Sequence, residues 1–186
     1  MGHAGMTLDN FVQHEKSVLA QLDRVHVLVL RLYTSSSHKK FNYALRNEVQ
    51  PHPWKLCVYW LSEALRQLRG VQAPEAFTKD EDLWRGMDDM SSHQPEFLFN
   101  GGTEMAVMSA SAAREKAELY AGSINPLLFK LKTTGMTRGA QIDYLSLYPK
   151  EKEYTYPPMV FLKPANGPES SYQENGVTII EVTPQF

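Results

Sequence analysis

At 186 residues and 21.2 kDa, with 42% hydrophobic and 22% charged residues, the chain suits one folded domain and excludes a collagen, a coiled coil or a disordered tail. Nineteen Lys and Arg against 21 Asp and Glu leave a net charge of -2, so no broad positive field draws in a phosphate backbone, and nucleic acid is not an expected partner. The single cysteine, Cys57, excludes an intrachain disulfide and a multi-cysteine zinc cluster; between Leu56 and Val58 it reads as a packed thiol.

The first segment, Met1 to Phe11, has no basic start, and the most apolar stretch, Val25 to Tyr33, is interrupted by His26 and Arg31. It falls well short of the roughly 20 residues of a membrane span, so neither a signal peptide nor a span is expected. A reducing, cytoplasmic location fits, and an exported toxin or effector shares this composition.

The first 70 residues carry helical spacing. Leu8, Phe11, Glu15, Val18, Leu19, Leu22 and Val25 recur at three- and four-residue steps, with Thr7 to cap the start, and predict one apolar stripe facing a core. Val27 to Leu30 suit either a buried helix end or a short strand. Ser35, Ser36 and Ser37 make a polar break. Phe41, Ala44, Leu45 and Val49 then form a second helical face ending before Pro51 and Pro53, and Trp54, Cys57, Val58, Leu61, Ala64, Leu65 and Leu68 a third that stops at Gly70. A polar linker is expected from Val71 to Asp82.

Beyond it the period changes. Short runs at Leu83 to Met87, Glu104 to Ser109, Leu127 to Leu131, Glu153 to Tyr156, Met159 to Leu162 and Val177 to Val182 are punctuated by glycine and proline and predict strands. One helix is expected among them, from about Ala112 to Tyr120, with Ser111 as its cap. Helices first and strands after favour an α+β fold over a doubly wound parallel sheet. The tail, residues 165–186, begins with a flexible joint at Asn166, Gly167, Pro168 and Ser170 and ends in a possible edge strand.

Three short segments carry chemistry. In Glu151-Lys152-Glu153 an extended backbone would point both carboxylates to one side, where they suit a positively charged intermediate; a solvated edge explains them as well. In Leu83-Trp84-Arg85-Gly86 the planar guanidinium matches a phosphate or carboxylate, and Gly86 admits a ligand close to the backbone; a structural ion pair is the plain alternative for Arg85. Met108-Ser109-Ala110-Ser111 sets hydroxyls where a strand meets a helix, and capping alone accounts for Ser111. The six histidines offer no pair at metal-ligand spacing on one helix face, so no metal is expected.

In this order the three segments resemble the mono-ADP-ribosyltransferases of the Arg-Ser-Glu class. Arg85-Gly86 is similar to the family's aromatic-Arg-Gly on the first core strand, Ser109-Ala110-Ser111 to its Ser-Thr-Ser, and Glu151-Lys152-Glu153 to its Glu-x-Glu. Leu145 to Lys150 resembles the substrate-recognition turn, with Tyr148 three residues before the first glutamate, and Pro157-Pro158 follows. The likeness runs from about Leu83 to Leu162. More loosely, Leu32-Tyr33-Thr34 and Asn42 to Arg46 resemble the family's helical preamble. Ala110 departs from the pattern, standing where the family usually has Thr.

The resemblance implies a single domain over residues 1–186: a helical layer (1–70), then a mixed, mainly antiparallel split β-sheet core (83–163) and the tail. It implies NAD as cosubstrate and transfer of ADP-ribose to a protein arginine. Glu153 would face the ribose 2'-hydroxyl and the developing charge, with Ser109 holding Glu153. Arg85 would grip the NAD phosphate, Gly86 the nicotinamide amide, and Ser111 would help bind the cofactor. Glu151 and Tyr148 would receive the acceptor guanidinium. Water as acceptor, giving a NAD glycohydrolase, and a non-catalytic interaction module on the same fold remain as alternatives.

Overall fold

The expected N-terminal stripe is divided among three helices, α1 (Leu8–Val12), α2 (Glu15–Leu19) and α3 (Arg24–Leu32). Local caps make the breaks. Asn10 Oδ1 accepts from the Thr7 N–H at 2.7 Å, His14 Nδ1 accepts from the Lys16 N–H at 3.2 Å, and His26 Nδ1 accepts from the Asp23 N–H at 3.0 Å. Gln21 takes a left-handed φ of 54° between α2 and α3. The stripe is therefore corrected at Val18 and Leu19, which are 62% and 60% exposed. Val27 to Leu30 belong to α3, not to a strand.

This computed structural model describes residues 3–76, 79–87, 94–121, 125–135 and 137–186. The triple serine bends the chain without ending the helical path. Ser35 leaves helical geometry, its Oγ donates to the Leu32 carbonyl at 2.6 Å, and the chain re-enters α4 (His38–Arg46). The last helix of the layer, α5 (Lys55–Ala76), runs six residues past Gly70, so the linker expected from Val71 begins later. Gly70 is solvent-facing, a Cβ there would meet nothing within 4 Å, and a surface glycine costs a helix only about 1 kcal/mol. Beyond it Gln72 anchors the helix, donating to the Gln141 carbonyl at 2.9 Å and accepting from the Gln141 N–H at 2.8 Å.

Nine strands are seen among the described residues: β1 (Glu81–Met87), β2 (Gly102–Glu104), β3 (Met108–Ser111), β4 (Leu127–Thr133), β5 (Ala140–Gln141), β6 (Glu153–Tyr156), β7 (Val160–Pro164), β8 (Ser171–Glu174) and β9 (Val177–Gln185). Their order is β2-β7-β9-β4-β1-β3-β6-β5, with β8 added on β9, and only β4 and β9 run parallel. Two helices interrupt them, α6 (Gln94–Asn100), which the strand-like reading missed, and α7 (Arg114–Glu118), shorter than expected. Ala113, not Ser111, takes the N-cap position of α7, and the Ser111 hydroxyl accepts from the Ala113 N–H at 3.0 Å.

The expected edge strand is corrected as well. β9 pairs with β4 on one side and with β7 and β8 on the other, and Ile179, Ile180 and Val182 are fully buried. A strand covered on both faces reads as a continuous apolar run, which β4 also shows in Leu127, Leu128, Phe129 and Leu131. The joint before β8 is a tight turn, Gly167–Ser170, tied by the Asn166 N–H to Ser170 Oγ at 2.7 Å.

Two main cores result. Phe11, Val27, Leu30, Phe41, Leu61, Leu65 and Leu68 of the helical layer pack with Val107, Ile142 and Leu145. Leu83, Met108, Phe129, Leu131, Tyr156, Val160 and Val182 fill the second, inside the sheet. Each fully buried aliphatic or Phe side chain contributes roughly 1.5–3 kcal/mol. The sheet is split where these bodies meet. β1 pairs with β4 over seven residues, but with β3 only at Trp84 and Ser111. The other edge of Arg85 and Gly86 is left without a ladder, and the chain opens there.

Candidate active site

A cleft of about 280 Å³ lies at this seam, and Arg85, Gly86, Ser109, Ser111, Tyr148, Glu151 and Glu153 all line it. The structure thus gathers every residue singled out in the sequence, from positions spread over almost 70 residues of chain.

Arg85 closes the seam with its side chain. Its Nη1 donates to the Ser109 carbonyl at 2.8 Å, taking the place of a backbone donor that a regular β1–β3 ladder would supply. Its Nη2 lies 3.4 Å from Glu104 Oε2. Glu104 itself is clasped by Arg46 through two bonds of 3.0 and 2.8 Å and by the Ala106 N–H at 3.0 Å. Burial pushes the Glu104 carboxyl up, but these donors outweigh it and hold the group below its usual value. A fixed carboxylate thus spaces two guanidinium groups, Arg46 and Arg85, along one wall of the cleft.

Glu153 opens β6 and points to the floor. Ser109 Oγ donates to its Oε1 at 2.6 Å, Thr155 Oγ1 reaches the same oxygen at 3.4 Å, and Ser146 Oγ reaches Oε2 at 3.4 Å. Burial pushes its carboxyl above the usual range, Glu151 adds to that push, and the three hydroxyls oppose it. A desolvated carboxylate with a fixed aim suits the stabilisation of developing positive charge.

Glu151 reaches the cleft by a route the alternation rule did not foresee. It ends a tight turn, Pro149–Glu151, and Lys152 takes a left-handed φ of 47° before β6 begins. The two carboxylates share a cleft through a turn rather than through an extended strand. That turn is held from β3, because the Ser111 hydroxyl donates to the Glu151 carbonyl at 2.5 Å and the Ala112 N–H donates to the Lys152 carbonyl at 3.3 Å. Ser111 therefore has a structural task in addition to facing the cleft. On the rim, the Tyr120 phenol donates to Glu151 Oε1 at 3.2 Å, and Tyr148 is 50% exposed.

Gly86 admits a close neighbour from the chain itself. A Cβ there would meet the Ala117 carbonyl oxygen, and would lie 2.6 Å from both the Tyr120 carbonyl carbon and the Ala121 nitrogen. The end of α7 is seated on β1 by the absence of that side chain.

Other residues also line or brace the cleft: Tyr33, Asn42 and Arg46, which the resemblance placed only in a helical preamble, Ser146, which it placed only in the recognition turn, and His38, Glu104 and Tyr120, to which the sequence assigned no site role. A signal existed for Tyr33. It falls one turn beyond Leu30 on the buried face of α3, and a phenol at a core position needs a polar partner. Cys57 is half-buried against the helical core. Among the described residues, no helix is long and apolar enough to cross a membrane.

Solved structures share this architecture. The ADP-ribosyltransferase HopU1 of Pseudomonas syringae pv. tomato superposes with a TM-score of 0.73 at 19% identity, covering 96% of this chain and 86% of that one. The ADP-ribosyltransferase Vis of Vibrio splendidus, in complex with agmatine, gives 0.64 at 15% identity over 96% and 85%. Exoenzyme S from Pseudomonas aeruginosa, with human 14-3-3 protein beta and bound to carba-NAD, gives 0.63 at 15% identity over 95% and 86%. Among curated proteins no sequence matches. The family model for NAD:arginine ADP-ribosyltransferase matches residues 8–179, nearly the whole chain and every residue of the cleft described above, and the chain belongs to that family.

Proposed function

We propose that the chain cleaves the nicotinamide–ribose bond of NAD and transfers the ADP-ribose to an arginine side chain of a protein. The observation that carries this reading is the Ser109–Glu153 bond of 2.6 Å under the Arg85 guanidinium, with Glu151 on the rim of the same cleft. Arg85, with Arg46 beside it, supplies positive charge for the NAD diphosphate, and the Gly86 backbone borders the nicotinamide end. As the glycosidic bond breaks, its electron pair leaves with nicotinamide and positive charge builds on the ribose. Glu153 offsets that charge and hydrogen-bonds the ribose 2'-hydroxyl.

Glu151 receives the acceptor. A carboxylate pairs with a guanidinium through two parallel hydrogen bonds, and Tyr148 offers a ring for that planar cation to stack on. One guanidinium nitrogen bonds to the ribose carbon, and one proton leaves to solvent. Vis, which shares the fold, was crystallised with agmatine, a small guanidinium compound, and Exoenzyme S with carba-NAD; both agree with this pairing of ligands.

The test uses NAD labelled in the adenylate part, with poly-arginine as acceptor and an acceptor-free control. The purified chain should label poly-arginine, and Glu151→Gln should lose that labelling by about tenfold or more while keeping a larger share of its nicotinamide release. Free ADP-ribose with no labelled acceptor would reassign the chain to NAD hydrolysis, and equal loss of both activities would reject the division of labour between the two glutamates.

A further inference from the structure

Tyr33 has a buried ring in the helical core, yet its hydroxyl passes through to the cleft floor. The oxygen lies 3.1 Å from Ser109 Oγ and 3.1 Å from the Val107 carbonyl. Counting hydrogens gives the direction of these bonds. An ionised Glu153 only accepts, so Ser109 gives its one hydrogen to Oε1. Ser109 Oγ then has only lone pairs to offer Tyr33, and the phenol must be the donor. The phenol hydrogen is shared between two acceptors: it also faces the Val107 carbonyl at 3.1 Å, whose other lone pair takes the Asn42 Nδ2 donor at 3.0 Å. Burial, with the Glu153 carboxylate beyond Ser109, pushes the Tyr33 phenol up to about 12, so it keeps its hydrogen at working pH.

We propose that Tyr33 is a positioning residue for the NAD-cleaving carboxylate: its hydroxyl polarises and orients Ser109, which in turn aims Glu153 into the cleft. Hydrogen bonds in series strengthen one another, so the donor farthest from the carboxylate still acts on it. The arrangement also links the two bodies of the molecule, since the phenol comes from the helical layer and the two groups it acts on come from the sheet. This rests on the reading of Glu153 as the group that faces the ribose.

The test is Tyr33→Phe, which keeps the ring and leaves the Val107 carbonyl its bond from Asn42. Nicotinamide release without acceptor should fall about tenfold in kcat, with KM for NAD within about twofold of the parent. The acid limb of the pH profile should move to higher pH, because a carboxylate that loses a donor titrates higher. In a Ser109→Ala background the same change should cost less than about twofold, since the link through which it acts is gone. An unchanged kcat, an unmoved acid limb, or an equal loss in the Ser109→Ala background overturns the proposal. If the parent itself releases no nicotinamide, the reading of Glu153 fails and takes this inference with it. If the parent is active and Tyr33→Phe matches it, only the role of Tyr33 falls. Should Tyr33→Phe not fold, 3-fluorotyrosine at position 33, a stronger donor of nearly the same shape, moves the acid limb to lower pH; a limb that stays in place or moves up overturns the proposal.

Discussion

Glu153 carries two opposed requirements in one side chain. The proposed role of offsetting charge on the ribose needs it ionised, and burial in the cleft floor disfavours that form, raising its pKa. Activity should therefore decline as pH falls through the raised value, at a higher pH than an ordinary carboxylate would give. Stability should show the reverse sign. The folded chain binds the Glu153 proton more tightly than the unfolded chain, so folding loses stability as pH rises from the ordinary carboxylate value through the raised one. Replacing the group by Gln, which carries no charge to bury, should yield a chain that melts at higher temperature than the parent at neutral pH. The gap should close below the ordinary carboxylate range, where Glu153 is neutral in both states; melting curves across pH read this directly, and a variant that melts lower at neutral pH would contradict it. Such a stability gain on removing a functional group is the usual trade at strained or desolvated sites. At this scale the segments holding Arg85, Ser109, Glu151 and Glu153 were ambiguous singly and stood out only through the family resemblance of their order, and all four residues line one cleft. The sequence placed Ser146 in a turn and Glu104 at the start of a strand but gave no contact for either, since their partners lie 7 to 58 residues away and exist only after folding.

The elements around the cleft are set by close backbone contact, and Gly86 shows it most plainly. Without a Cβ at position 86, α7 rests on β1, and Tyr120 is carried to Glu151. Gly86→Ala should force the segment from Ala117 to Ala121 away, at a cost of about 1–3 kcal/mol for overpacking against backbone. Thermal unfolding should fall by several degrees, and NAD hydrolysis should fall with it because the cleft wall shifts; an unchanged melting temperature would show that the segment gives way freely. Element type was legible wherever a run was long or distinctly patterned, as in α5, β1, β4 and β6. Boundaries were not. α5 passes Gly70 because a surface glycine is tolerated when Gln72 binds the Gln141 backbone. The N-terminal stripe divides because two local caps, at His14 and Asp23, outweigh a continuous period. β5 is only two residues long, and β8, Ser171–Glu174, is polar and buries none of its four residues, so neither carries an apolar pattern.

The whole molecule is organised by one interrupted pairing. β1 is fully laddered to β4 and joined to β3 by a single residue pair, so the sheet parts beside Arg85 and Gly86, and the helical layer closes one side of the gap with Tyr33, Asn42 and Arg46. The order of helices before strands suggested the α+β class. The split came from the family resemblance, because the residues on either side of the seam are ordinary strand formers. The internal place of β9 was equally hidden, since its pairing with β4 and β7 joins segments far apart in the chain and no local pattern shows whether both of a strand's hydrogen-bonding sides are filled. The seam and the function meet at Glu153, and nicotinamide release from NAD is the measurement that bears on both. The parent chain should release it without any acceptor, and Glu153→Gln, shown to be folded, should release it at least about a hundredfold more slowly. Equal rates in the two proteins, or no release by the parent, would contradict the assignment of this cleft to NAD cleavage.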